Sequence, residues 1–180
     1  MSTEISSDTS SARATLFAFL DELGIAHRTV DHPPVFTVEE GRDIKKTMPG
    51  GHSKNLFVKD KKGTLTLVTA LAQTQVDLKG LGKHIGAKGR LSFGKPELMQ
   101  EVINITPGSV TPFAVMHDRE KRLDHVILDK ALFDHDPVWF HPLENNGSTA
   151  IRADDLVTFI KACGHEPLVM PLDQFPATTA

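Results

Sequence analysis

Few residues in this chain have the chemistry for a functional site, and they lie far apart in sequence. One is Lys54, in Gly50-Gly51-His52-Ser53-Lys54-Asn55-Leu56-Phe57-Val58-Lys59-Asp60, a glycine entry followed by an alternating run. A strand here puts Lys54 and Leu56 on one face and Asn55 and Phe57 on the other. A cation at the opening of such a strand either sits at a solvated edge or serves a ligand, and spacing alone weighs the two equally. Gly108-Ser109-Val110-Thr111-Pro112 is a loop by composition. Its glycine admits a ligand close to the main chain, and the prolines on both sides stiffen it. Exposed N–H groups there can hold an anion or polarise a carbonyl. Asn145-Asn146-Gly147-Ser148-Thr149 reads as a turn that offers several donors and acceptors in a row.

Other chemistries find no support. There are nine histidines, yet none falls in a His-Glu-x-x-His pattern, and a single cysteine, Cys163, excludes both Cys-x-x-Cys and an internal disulfide. His117, His125 and His135 lie beside carboxylates in acidic turns, which is poor ground for a metal, and no cofactor is expected. There is no Gly-x-Ser-x-Gly elbow and no phosphate loop ending in Gly-Lys-Ser/Thr. Cys163 closes a predicted helix and reads as a packed small residue.

The elements that must position these groups can be read from pattern. Residues 1–10 are polar and expected to be disordered, and 11–173 read as one domain. Leu16, Phe17, Leu20 and Leu23 mark a first helix over 11–23, closed by Gly24. A short strand follows over 25–30, then the extended Asp31-His32-Pro33-Pro34-Val35-Phe36 and a capping box, Thr37-Val38-Glu39-Glu40, opening a helix to Lys46. Residues 52–59 and 64–70 are a strand pair turning at Asp60-Lys61-Lys62-Gly63. Helices are expected over 77–85, 95–103 and 153–162, with strands over 91–93, 113–116, 126–128, 138–141, 150–151 and 166–170. Short strands mixed irregularly with helices give an α+β fold around a mixed sheet.

With 180 residues and 39% apolar content, the chain can bury a proper core, and it carries no run long enough to cross a bilayer and no signal-peptide pattern. A cytoplasmic location is expected. The net charge of -3 is unevenly spread. Residues 42–95 hold 12 Lys/Arg against 3 Asp/Glu, so an acidic protein has a basic middle. That distribution suits a local anionic partner such as a phosphodiester backbone. A non-catalytic DNA- or tRNA-binding protein is the alternative, against which stand 6% aromatic content, no Tyr and no helix-turn-helix pattern.

Four motifs in order, His32-Pro33-Pro34-Val35-Phe36-Thr37, His52-Ser53-Lys54-Asn55-Leu56-Phe57, Gly108-Ser109-Val110-Thr111-Pro112 and His141-Pro142-Leu143-Glu144-Asn145, resemble the YbaK/prolyl-tRNA-synthetase-associated domain family. Within it the chain is most similar to free-standing prolyl-tRNA deacylases that act on alanyl-tRNA(Pro). The resemblance implies a mixed, partly barrel-like sheet flanked by helices, and hydrolysis of the ester joining a wrong amino acid to the terminal adenosine of tRNA(Pro). It makes Lys54 the essential lysine, with Gly108 to Pro112 as the loop lining the aminoacyl pocket, so Lys54 and Gly108 are the expected catalytic positions. Phe36, Thr37, Asn55, Ser109, Val110, Thr111, Pro112, His141, Asn145, Ser148 and Thr149 are the expected substrate-binding residues. Lys45, Lys46 and Lys59 are the expected phosphate contacts, with Lys61, Lys62, Lys79 and Lys83 as further candidates. The implied partner is the acceptor end of an aminoacylated tRNA, with no membrane; association with a synthetase or elongation factor is compatible with it.

Overall fold

The computed structural model describes residues 4–34 and 46–173. Twelve helices and strands appear among them: α1 (Glu4–Glu22), β1 (Arg28–Asp31), β2 (Gly51–Lys59), β3 (Leu65–Leu71), α2 (Leu78–His84), β4 (Ser92–Phe93), α3 (Pro96–Ile103), β5 (Leu123–Asp129), β6 (Val138–Phe140), β7 (Gly147–Ile151), α4 (Ala153–Ala162) and β8 (Pro167–Met170). The strands form one mixed sheet in the order β1-β7-β6-β2-β3-β5-β8, with β4 paired to β2 off that path. Pairs β2–β6, β3–β5 and β5–β8 are parallel, the rest antiparallel.

Both faces of the sheet are covered, which is why β3 is buried along almost its whole length. On one face, Phe57, Leu67, Val126 and Phe140 pack against Leu16 and Leu20 of α1, Val102 and Ile103 of α3, and Phe159 and Ile160 of α4. On the other face, Val58, Val68 and Ile127 pack against Leu81 of α2, Leu91 and Leu172. Each fully buried Leu or Phe in these layers contributes about 1.5–3 kcal/mol of transfer free energy.

Local signals explain the boundaries. α1 ends where Gly24 takes φ 72°. It begins at Glu4, so part of the segment expected to be disordered is helical. Asp77 caps α2 by accepting from Gly80 N. α3 opens on Pro96 and closes on Asn104 in the left-handed conformation. The helix expected from Thr37 falls almost wholly on residues outside those described.

Two expectations are corrected. Residues 113–116 are not a strand but part of a 3₁₀ helix, Pro112–His117. Pro112 sits at its start, where a missing N–H costs nothing, and the Thr111 hydroxyl accepts from Phe113 N. Likewise Gly147, Ser148 and Thr149 are not a turn but the first half of β7. Pairing with β1 along all three residues, and with β6 at Thr149, outweighs local turn preference.

Candidate functional site

β2 places Lys54 at a break in the sheet. One edge of β2 is paired to β3 from Ser53 to Lys59. On the other edge, β6 pairs only with Gly51 and His52, and β4 only with Val58 and Lys59. Among the described residues, Lys54, Asn55 and Leu56 therefore have no strand neighbour on that side, and Lys54 stands half-buried at the notch. No ion pair to Lys54 occurs among the described residues.

Register then brings other polar groups to the same face. β2 and β6 run parallel, with Gly51 opposite Val138 and His52 opposite Trp139. Continued two residues, that register carries Lys54 alongside His141, just past the end of β6. Trp139 is opposite Ala150 in β7, and Ser148 lies two residues from Ala150, on the same face. Val30 is opposite Ser148, and His32 follows two residues later on that face. Lys54, Ser148 and His32 thus face the same side of the sheet, and His141 follows the end of β6 beside Gly147. The floor beside them is apolar: Met48, Trp139 and Ala150 are buried together, with Val30 against them. The chain from Met48 is pinned there, since Trp139 Nε1 donates to Pro49 O at 2.9 Å and His52 Nε2 lies 2.9 Å from Met48 O.

The histidines are held through their Nδ1 atoms. His32 Nδ1 is 2.9 Å from Pro33 O, and its Nε2 is 2.8 Å from Ser148 Oγ. His141 Nδ1 is 3.4 Å from Gly147 O. Burial pushes the His141 imidazole below its usual range, the Gly147 carbonyl opposes this, and the neighbouring His32 ring lowers it further. His141 is accordingly a neutral ring at pH 7.

The Gly108 loop approaches from the side. A Cβ on Gly108 would lie 3.3 Å from Asn145 Nδ2, so this main chain packs directly on the segment following His141. That segment is tied back by Arg13, whose guanidinium pairs with Asp31 Oδ1 at 2.6 Å and donates to Asn146 Oδ1 at 3.2 Å. Glu144 also pairs with Arg13. His32 N in turn donates to Asn146 O at 3.0 Å, linking the two ends of the site.

The remaining expected binding residues separate into groups. Asn55 projects to the opposite face, where its Oδ1 accepts from Thr69 Oγ1 at 2.7 Å. Thr149 is fully buried with its hydroxyl 2.8 Å from that of Thr29. Thr111 is fully buried as a cap, and Ser109, Val110 and Pro112 are buried around it. Ser109, Val110, Thr111 and Pro112 thus shape the loop from within the core. Phe36, Thr37 and Lys45 lie outside the described residues. Lys46 is exposed near the pinned Met48, and Lys59 lies at the far end of β2. Sequence reasoning places His32 in an extended proline segment and in a family motif but not among the binding residues; its chemical signal is the ring itself, placed one residue before a carbonyl it can reach. Cys163 is no nucleophile: burial pushes its thiol up to about 11, against the opposing pull of Lys121.

A second feature is a basic trough. Lys59, Lys61, Lys62 and Arg90 line a cavity of about 560 Å³ with Asp60, Gly63 and Ser92. Lys79, Lys83 and Arg90 line another of about 530 Å³. The two share Arg90. Asp60 is committed to the main chain, accepting from Lys62 N, Thr64 N and Lys88 N at 2.9–3.0 Å, which lowers its carboxyl below the usual range. The trough begins five residues along β2 from Lys54, roughly 17 Å at 3.3 Å per residue.

The chain, with its mixed sheet between helices, notch lysine and glycine loop against a His-Pro-Leu-Glu-Asn segment, belongs to the aminoacyl-tRNA editing domain family. The family model for the aminoacyl-tRNA editing domain matches residues 32–159. The chain is 37% identical over 168 residues to mouse (Mus musculus) "Prolyl-tRNA synthetase associated domain-containing protein 1", covering 91% of this chain and 98% of that one. It is 35% identical over 155 residues to "Prolyl-tRNA editing protein ProX" of Acetoanaerobium sticklandii, covering 86% and 93%. A crystal structure described as a candidate trans-editing enzyme for prolyl tRNA synthetase has the same fold, with TM-score 0.70 and 19% identity over 91% of this chain and 98% of that one.

Proposed function

We propose that the protein is a trans-editing deacylase that hydrolyses mischarged tRNA(Pro), with alanyl-tRNA(Pro) as its substrate. The observation that carries this reading is Lys54, a half-buried cation at a gap in the sheet, with no counter-charge among the described residues. An aminoacyl ester is already activated, so the protein needs no strong nucleophile of its own. It needs to hold the ester against a water and stabilise the developing oxyanion. Lys54 anchors the 3′-end through a phosphate or hydroxyl oxygen and supplies positive potential. The ribose hydroxyl beside the ester helps to activate the water. Main-chain groups at Gly108 bound the aminoacyl pocket, where alanine fits and the larger cognate proline clashes.

The basic trough supports an RNA partner. Its cations continue from the end of β2 onto α2, so they can follow a phosphate backbone leading away from the notch. The family relation and the names borne by the relatives point the same way. No described helix is long and apolar enough to cross a membrane, and a translation role fits a cytoplasmic location.

The test is a deacylation panel with alanyl-, seryl-, cysteinyl- and prolyl-tRNA(Pro). The expected result is rapid hydrolysis of the alanyl ester and sparing of the prolyl ester. Binding of tRNA without hydrolysis of any ester would replace this reading by the non-catalytic one.

A further inference from the structure

We infer that Ser148, held by His32 and flanked by His141, is the seat for the α-ammonium group of the aminoacyl ester. The inference rests on the deacylase reading and says which end of the substrate faces which side. A carbonyl oxygen only accepts, so the His32 nitrogen 2.9 Å from Pro33 O carries the proton. In the neutral ring, Nε2 is then an acceptor, and the Ser148 hydroxyl 2.8 Å away must donate to it. With its proton committed, the buried Ser148 oxygen presents lone pairs only.

His141 repeats the arrangement. Its Nδ1 faces the Gly147 carbonyl and therefore carries the proton, leaving Nε2 as an acceptor that makes no hydrogen bond among the described residues. Burial keeps this ring neutral. The result is a group of acceptors without a carboxylate, because Asp31 and Glu144 nearby are both turned to Arg13. A primary ammonium, with three donors, matches such acceptors. Lys54 across the site repels the ammonium, so the two sides orient the ester: ammonium toward Ser148, oxygens toward Lys54.

In this arrangement Ser148 and His141 touch the substrate, and His32 is a positioning residue acting through Ser148. The experiment compares alanyl-tRNA(Pro) with lactyl-tRNA(Pro), in which a hydroxyl replaces the α-ammonium at nearly equal size. Rates are divided by the spontaneous hydrolysis of each ester, because the ammonium also activates the ester chemically. Wild type is expected to prefer the alanyl ester by about 10- to 100-fold, the range for hydrogen bonds to a charged group. Ser148→Ala is expected to bring that preference close to one. His32→Gln, whose amide oxygen can replace Nε2 as acceptor, is expected to keep the preference. His32→Asn, which reaches only to the Nδ1 position, is expected to lose it. Thermal melts confirm that each variant is folded.

Unchanged preference in Ser148→Ala, or no preference in wild type, would overturn the seat while leaving the deacylase reading intact. Hydrolysis of neither ester by wild type would remove both.

Discussion

Replacing Lys54 by methionine removes the charge at the notch while keeping an unbranched stem of similar reach. The lysine is half-buried, and a neighbouring anionic oxygen at hydrogen-bonding range is its proposed target. At about 4 Å and an effective dielectric near 20, that interaction is worth about 4 kcal/mol, and partial exposure brings it to roughly 2–4 kcal/mol. Since each 1.36 kcal/mol is tenfold, kcat/KM for alanyl-tRNA(Pro) is expected to fall by about 30- to 1,000-fold. Stability is expected to stay within about 0.5 kcal/mol, or about 2 °C in Tm, because no buried partner is left unpaired. Single-turnover and steady-state deacylation separate two roles for the lysine. A rise in KM alone assigns it to anchoring the 3′-end, whereas an equal loss in kcat and kcat/KM assigns it to the transition state. Hydrolysis by Lys54→Met at the wild-type rate would refute the reasoning altogether. Lys54→Arg sharpens the result: it keeps the charge but spreads it over a planar fork, and intermediate activity is expected.

Gly108→Ala places a methyl 3.3 Å from Asn145 Nδ2, so the Asn145 side chain must give by a few tenths of an ångström; kcat/KM is expected to fall roughly tenfold with little change in melting temperature. Gly51→Ala is a stability test instead, since its Cβ would lie 2.8 Å from His135 Cβ; overpacking is expected to cost about 1–3 kcal/mol and lower Tm by about 2–12 °C by calorimetry. His141 binds its proton less readily in the folded chain than at the ordinary histidine value of 6.5, so the unfolded chain takes up more protons as pH falls through and below that value, and stability is lost there. The wild-type Tm is expected to decline more steeply between pH 7 and pH 5 than that of His141→Gln; parallel profiles would show that His141 is not the group responsible. Neutralising Lys79, Lys83 and Arg90 together as Gln is expected to weaken tRNA binding and flatten its salt dependence, by about 0.7–0.9 in log–log slope for each phosphate that is no longer neutralised, measured by filter retention; an unchanged slope would mean that the trough does not touch RNA.

Much of the scaffold is legible in the sequence because it is specified locally. Apolar spacing marks α1 and α4, Gly24 and Pro96 mark helix ends, and Gly63 marks the turn between β2 and β3, each through a backbone preference that needs no distant partner. Lys54 is legible as well, because a cation in an alternating strand stands out from its own neighbours. The segments that local pattern misassigns are those whose conformation depends on what lies beside them. Gly147 to Thr149 have turn chemistry, yet they are strand because β1 pairs with all three and β6 joins at Thr149. Phe113 to Met116 have strand chemistry, yet they curl into a 3₁₀ helix because Thr111 and Pro112 start one and the core accepts Phe113 and Val115.

The site divides in the same way. By itself the sequence determined which side chains were available: one lysine at the opening of a strand, a glycine loop between prolines and a polar run after His141. Only the tertiary structure decided which of them meet. Strand alternation sends Asn55 to the opposite face from Lys54, and burial withdraws Thr111 and Thr149 into structural hydrogen bonds. The parallel register of β2 against β6 brings His141 toward Lys54, and the pairing of β1 with β7 sets His32 against Ser148 across 116 residues of chain. Side-chain chemistry is written residue by residue, but a hydrogen bond between residues that far apart exists only once the sheet has fixed its register.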